Sequence, residues 1–192
     1  MNRAMFGLGL LLAGCSGTHN HRDTEGSEAG NDVVAANATP AKSSSPVVSQ
    51  FTREGLKPCR IIDKNEAEGP YYRHLCPGVG GYKYEVVESD LRQTMVIVAP
   101  GGARSELGLN RIGGGGFSVL GPVMDWRGPA GAPPQALVVR YNVQQGEAGS
   151  DKSFLVVVRL NPTACIIGSV PPGPGQNERA REIADGAGDC LR

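Results

Sequence analysis

Histidine is scarce in this sequence, which limits the kinds of enzyme that the chain can form. Three of its 192 residues are histidine, and only His74 falls in the part that we expect to fold. A serine or cysteine nucleophile that needs histidine as its base would have to use His74. We interpret His74 as a surface or loop residue, because it stands two positions from Cys76, where a disulfide would constrain it. We therefore predict no catalytic residue.

The chain also lacks an excess of either charge and has few aromatic residues. Nineteen Lys and Arg balance nineteen Asp and Glu, so no strong field favours nucleic acid as a partner. Aromatic residues make up 5% of the chain, Trp126 is the only tryptophan, and 28 residues are glycine. This composition favours short strands joined by turns over a large helical bundle.

The first residues have the features of an export signal, over residues 1–14. Arg3 supplies a positive charge, and residues 4–11 form an apolar run. Such a run is shorter than the roughly 20 residues of a membrane span, but it suits a secretory signal. Leu12-Ala13-Gly14-Cys15 follows and resembles the lipobox of bacterial lipoproteins.

This resemblance implies that Cys15 receives a diacylglyceryl group and becomes the new N-terminus. Ser16, where a sorting aspartate could stand, implies an outer-membrane anchor that faces the periplasm. The membrane would then be the first partner, reached through the N-terminal lipid. An ordinary signal peptide with an incidental free cysteine at Cys15 is the alternative.

Composition divides the remaining chain into a tether and a domain. Residues 15–50 are rich in Gly, Ser, Thr, Asn, Ala and Pro without apolar periodicity, which predicts a flexible, lipid-anchored tether. Residues 51–192 are predicted to be globular. There, alternation of apolar and polar residues predicts about six to eight short strands, the clearest at 82–87, 92–99, 136–143 and 153–160.

The last predicted element is a helix near the C-terminus. Asn177 can cap it, and Ala180, Ile183, Ala184 and Ala187 form one apolar stripe at helical spacing. The expected fold is therefore mainly β, of the α+β type, with a single antiparallel β-rich domain and one C-terminal helix.

The cysteine count agrees with lipidation of Cys15. Four cysteines then remain, an even number that suits two disulfides in an oxidising compartment. Of three possible pairings, we favour Cys59–Cys76 and Cys165–Cys190, because each closes a short local loop. A zinc site is the alternative, although the spacing lacks the paired C-x₂₋₄-C motifs of structural zinc. We predict neither a metal nor another cofactor.

A group of aromatic and arginine residues is a candidate recognition surface. Tyrosine, tryptophan and arginine often anchor interfaces, and the candidates are Tyr71, Tyr72, Arg73, Trp126 and Arg127. The alternative is that these aromatic residues form the core of a domain that is short of Phe and Leu.

Three acids, Asp63, Glu66 and Glu68, fall in one segment. Paired carboxylates can hydrolyse glycosides when one of them is desolvated. Their polar neighbours give no sign of desolvation, so we favour a solvated acidic loop over a carboxylate-based hydrolase.

These features together predict a non-enzymatic cell-envelope lipoprotein that acts as a small binding or assembly module, with an envelope protein as a candidate partner. The alternative is an inhibitor of a lysozyme or another hydrolase, which the chain resembles in size, disulfides and location only. That resemblance is architectural and does not identify a binding residue.

Overall fold

The computed structural model describes residues 45–53, 55–67, 69–146 and 151–191. The predicted signal peptide, Cys15 and most of the predicted tether lie outside these ranges, and so does Glu68. The described residues form one compact unit.

The described part is mainly β, as predicted, with ten strands where six to eight were expected. The strands are β1 (Val47–Thr52), β2 (Arg60–Asn65), β3 (Tyr71–Pro77), β4 (Lys83–Ser89), β5 (Arg92–Val98), β6 (Arg104–Glu106), β7 (Ser118–Pro129), β8 (Ala136–Val143), β9 (Lys152–Arg159) and β10 (Cys165–Val170). A 3₁₀ turn covers Leu109–Arg111, and the helix α1 covers Gln176–Asp185. Strand β1 begins four residues before the predicted start of the domain, so residues 47–50 belong to the sheet and not to the tether.

The strands form one sheet in the order β10-β9-β8-β7-β5-β4-β3-β2, with β1 beside β7 and β6 beside β5. The pairs are antiparallel except for one parallel bridge, Arg92 with Ser118, which joins β5 to β7. One core cluster contains residues from both sides of that bridge, including Tyr84 and Ile97 on one side and Trp126 and Val156 on the other. The two halves of the sheet therefore pack face to face across this core.

Helix α1 covers the outer face of the half that contains β7 to β10. Ala180 and Ala184 are buried there with Val138, Leu155 and Val157 in a second apolar cluster. Alanine permits close approach of the helix to the strands, which explains how a thin apolar stripe can hold it in place.

The helix boundaries differ from the prediction at both ends. Gly175 precedes the helix with a φ of 69° and no side chain caps it, so the predicted Asn177 cap is wrong. Gly175 occupies the left-handed region that suits glycine. The helix ends at Asp185, so Ala187 lies beyond it and is exposed.

Both predicted disulfides are present, Cys59–Cys76 and Cys165–Cys190. The zinc alternative is therefore wrong, because all four thiols are consumed. The first disulfide joins the start of β2 to β3, and the second holds the segment after α1 against β10. Leu191 continues this contact by donating its backbone N–H to the carbonyl of Ile166 at 2.8 Å.

Candidate functional site

The structure does not bring the five predicted recognition residues together. Trp126 is fully buried, and its ring lies 6.2 Å from Tyr82 and 6.3 Å from Tyr84 between centroids. Its indole N–H donates to the hydroxyl of Thr52 on β1 at 3.1 Å. Trp126 is therefore the centre of the core, and its assignment to a recognition surface is wrong.

Arg127 is also buried, on the opposite face of β7, and its surface assignment is wrong for a different reason. Its guanidinium donates to both carboxylate oxygens of Asp185, at 2.8 and 2.6 Å, and to the hydroxyl of Ser49 at 2.6 Å. The hydrogen bond from Asp185 raises the pKa of Arg127 above its usual value, against the opposing effect of burial. Arg127 thus ties the end of α1 to β7 and β1.

The other three candidates are half-buried on β3 and point to two different faces. Tyr72 donates its hydroxyl to Glu66 at 2.8 Å, which raises the pKa of Tyr72. Arg73 lies on the other face, 3.4 Å from the fully buried carboxylate of Glu85. Arg104 forms a second ion pair with Glu85, so this carboxylate is already satisfied. Tyr71 and Arg73 can share one surface, but Tyr72 cannot share it.

The remaining sequence candidates do not assemble into a reactive centre. Asp63 and Glu66 are exposed, which is not the desolvated setting that a carboxylate acid requires, and Glu68 is outside the described residues. His74 is half-buried within β3, not in a loop. Within the described ranges, no group of three or more His, Cys, Asp and Glu is placed to hold a metal ion.

A groove with a volume of about 390 Å³ lies between α1 and the outer face of β1, β7 and β8. We call it the α1 groove. Its walls are mainly apolar, formed by Phe51, Pro122, Val123, Val138 and Leu155. A concave apolar site with a few polar groups is the usual form of a ligand-binding pocket.

A bulge in β7 shapes the α1 groove. The register of β7 against β8 shifts between Leu120 and Met124, so residues 121–123 leave the ladder. Gly121 sits against Arg140, where an added Cβ would lie 2.8 Å from the Cβ of Arg140. Glycine is therefore needed for the close approach, and bulges of this kind often lie beside functional sites.

Asp125 lines the α1 groove and is only 8% exposed. One carboxylate oxygen, Oδ2, lies 3.4 Å from Nε of Arg181 on α1. The other oxygen, Oδ1, is buried without a hydrogen-bond partner. A carboxylate accepts several hydrogen bonds, and a buried acceptor without a partner destabilises the folded state by about 1–3 kcal/mol.

Arg140 lies on β8 at the same groove. One of its terminal nitrogens donates to the hydroxyl of Ser153 at 2.7 Å and to the amide oxygen of Gln176 at 3.3 Å. Within the described ranges, no carboxylate pairs with Arg140. With Arg181 and Asp125 it gives the groove two positive charges and one negative charge.

Comparison of the chain with protein-family models, with curated proteins and with solved structures found no match. Among the residues that the structure describes, no helix is both long enough and apolar enough to cross a membrane.

Sequence reasoning missed Asp125, Arg140, Arg181 and the α1 groove. The alternation in residues 123–127 does place Asp125 on the face opposite Trp126, which was a usable signal. Nothing local to that segment predicted the bulge or the approach of α1 from 56 residues further along the chain.

Proposed function

We propose that this chain is a lipid-anchored cell-envelope protein that binds a ligand in the α1 groove without transforming it. The observation that carries the proposal is Asp125, a buried carboxylate with an unpartnered oxygen on the wall of an apolar groove. A native protein rarely leaves a buried polar group unpaired without a structural or functional reason. A bound ligand that donates to Asp125 would give this carboxylate a hydrogen bond in addition to its contact with Arg181.

The location is part of the same proposal and rests on the lipobox-like Leu12-Ala13-Gly14-Cys15. Lipid on Cys15 would anchor the protein in the outer membrane facing the periplasm. The two disulfides support export, because such bonds form and persist in oxidising compartments.

The location is tested by fractionating cells that express the wild-type chain or Cys15→Ala. We expect the wild-type protein in the outer-membrane fraction, labelled by a fatty-acid analogue, and the Cys15→Ala protein unlabelled. Equal labelling of both proteins would contradict lipidation at Cys15.

Binding is tested by native mass spectrometry of the full chain purified from envelopes. Val123→Trp would fill the α1 groove, whereas Val119→Trp changes an exposed residue of the same strand outside that groove. We expect a small molecule at 1:1 stoichiometry on the wild-type and Val119→Trp proteins and not on Val123→Trp. A ligand that Val123→Trp retains, or a wild-type protein that carries none, would overturn the groove as the binding site.

A further inference from the structure

The charges in the α1 groove indicate the chemical class of its ligand. We propose that the groove binds an apolar zwitterion, meaning an apolar amino acid or a dipeptide with free ends, through Asp125, Arg140 and Arg181. This inference rests on the proposed binding function and adds to it the charge pattern of the ligand.

The ammonium group of the ligand is assigned to Asp125. This carboxylate lies 3.4 Å from Arg181, and the side chain of Asp125 is 12% exposed. An ammonium group donates three hydrogen bonds, and charge-assisted hydrogen bonds are the strongest kind in proteins.

The carboxylate of the ligand is assigned to Arg140 and Arg181. Arg140 uses one terminal nitrogen for its bonds to Ser153 and Gln176, which leaves Nε and the other terminal nitrogen for a ligand. Arg181 uses only Nε for Asp125, and its side chain is 46% exposed. The planar fork of a guanidinium matches a carboxylate in bidentate geometry.

The apolar part of the ligand is assigned to the groove walls. Phe51 is 42% exposed, and Val138 and Leu155 form the adjoining apolar surface. The volume of about 390 Å³ is near the lower end for small-molecule sites. This limits the ligand to a small molecule.

The test measures binding of leucyl-leucine to the full chain in nanodiscs by isothermal titration calorimetry, with empty nanodiscs as the blank. Two blocked probes keep the apolar side chains and remove one charge each: N-acetyl-leucyl-leucine lacks the ammonium group, and leucyl-leucine amide lacks the carboxylate. We expect saturable binding of leucyl-leucine and binding weaker by about tenfold or more for each blocked probe. Because this series uses the wild-type protein, it does not depend on a variant that folds.

Variants then assign each charge. Asp125→Asn should weaken the binding of leucyl-leucine by about tenfold and leave the binding of N-acetyl-leucyl-leucine unchanged. Arg140→Gln should also weaken the binding of leucyl-leucine by about tenfold, and it should leave the binding of leucyl-leucine amide unchanged. Arg179→Gln removes a charge from the same helix at a residue that does not line the groove, and it should change nothing.

The outcomes separate the two proposals. If the blocked and free probes bind equally to the wild-type protein and do not bind to Val123→Trp, the proposal of a zwitterionic ligand is overturned. The groove would still stand as a binding site. If Asp125→Asn and Arg140→Gln bind leucyl-leucine as tightly as the wild-type protein does, the assignment of the ligand's charges to these residues is overturned. If no probe binds and the envelope-purified protein also carries no ligand in the groove, both proposals fail.

Discussion

Replacing Asp185 by alanine should be among the most destabilising single changes on α1. Arg127, its partner, has a side chain that is 10% exposed, whereas the side chain of Asp185 is 35% exposed. Removing one partner of a fully buried ion pair costs about 3–5 kcal/mol, because the other charge stays buried. The partial exposure of Asp185 reduces this, and we expect a loss of about 2–3 kcal/mol, since Ser49 remains as an acceptor for Arg127.

The position of Asp185 argues that this ion pair has a specific role. Asp185 is the last residue of α1, and no basic residue lies in that last turn. A negative charge there is unfavourable in the field of the helix dipole. Its bond to Arg127 offsets that effect and fixes the end of the helix to the sheet.

Thermal unfolding of the full chain, followed by circular dichroism, measures the effect. A loss of 2–3 kcal/mol corresponds to a Tm lower by about 5–10 °C for a chain of this size. Glu182→Ala, at an exposed position of the same helix, is the control and should change stability by less than about 0.5 kcal/mol. The double variant Arg127→Met with Asp185→Ala should recover part of the loss, because it removes the buried charge. Equal Tm values for Asp185→Ala and Glu182→Ala would refute the reasoning.

Three further changes probe other parts of the fold, each by denaturant unfolding. Replacing Cys165 and Cys190 by alanine opens a loop with a sequence separation of 25 and should cost about 3.5 kcal/mol on the chain-entropy estimate; an unchanged midpoint would contradict it. Leu91→Gly should stabilise by about 1 kcal/mol, because Leu91 is 62% exposed at a φ of 58°, where a leucine is strained; a loss of stability would count against strain there. Gly78→Ala should destabilise by about 1–3 kcal/mol, since its Cβ would lie 2.8 Å from the ring of Trp126; a neutral result would mean that the loop shifts freely.

Local pattern was enough to predict most of the fold. The strand Ala136–Val143 matches its predicted range, because dense β-branched runs bounded by turn residues favour strands irrespective of distant contacts. The disulfide pairing that we favoured among three, because each bond closes a short local loop, is the one that the structure shows. Strand β1 was missed because its sequence, Val47–Thr52, is short and adjoins a polar segment, and its stability comes from pairing with β7.

Trp126 and Arg127 could have been separated from the sequence. Neighbouring residues of a strand point to opposite faces, an argument that applied equally to Tyr71 and Tyr72. A pair in an alternating segment cannot lie on one surface, so one of Trp126 and Arg127 had to leave the candidate set. The partner of Arg127 could not be predicted, because Asp185 is 58 residues away.

In the described part of the chain, three residues of α1 make polar contacts with the sheet beside the α1 groove, and the contact in the middle of the helix is incomplete. At the start of α1, Gln176 donates to the carbonyls of Ser153 and Val170 at 2.7 and 3.0 Å. At its end, Asp185 accepts two bonds from Arg127.

Between these two contacts, Arg181 meets Asp125 at 3.4 Å, and one oxygen of Asp125 has no partner. A helix that is held at both ends cannot shift towards Asp125 without breaking one of the complete contacts, and the bulge at residues 121–123 keeps β7 from closing the space. The position of the unpartnered Asp125 oxygen is therefore imposed by the frame around it. A site whose unsatisfied group is fixed by satisfied neighbours is preorganised for a ligand. Weakening the contact at either end of α1 should let the helix move and reduce binding in the groove.

Asp185→Ala should therefore lower both the thermal stability of the protein and its affinity for leucyl-leucine. An unchanged affinity would show that binding in the groove does not depend on the position of α1.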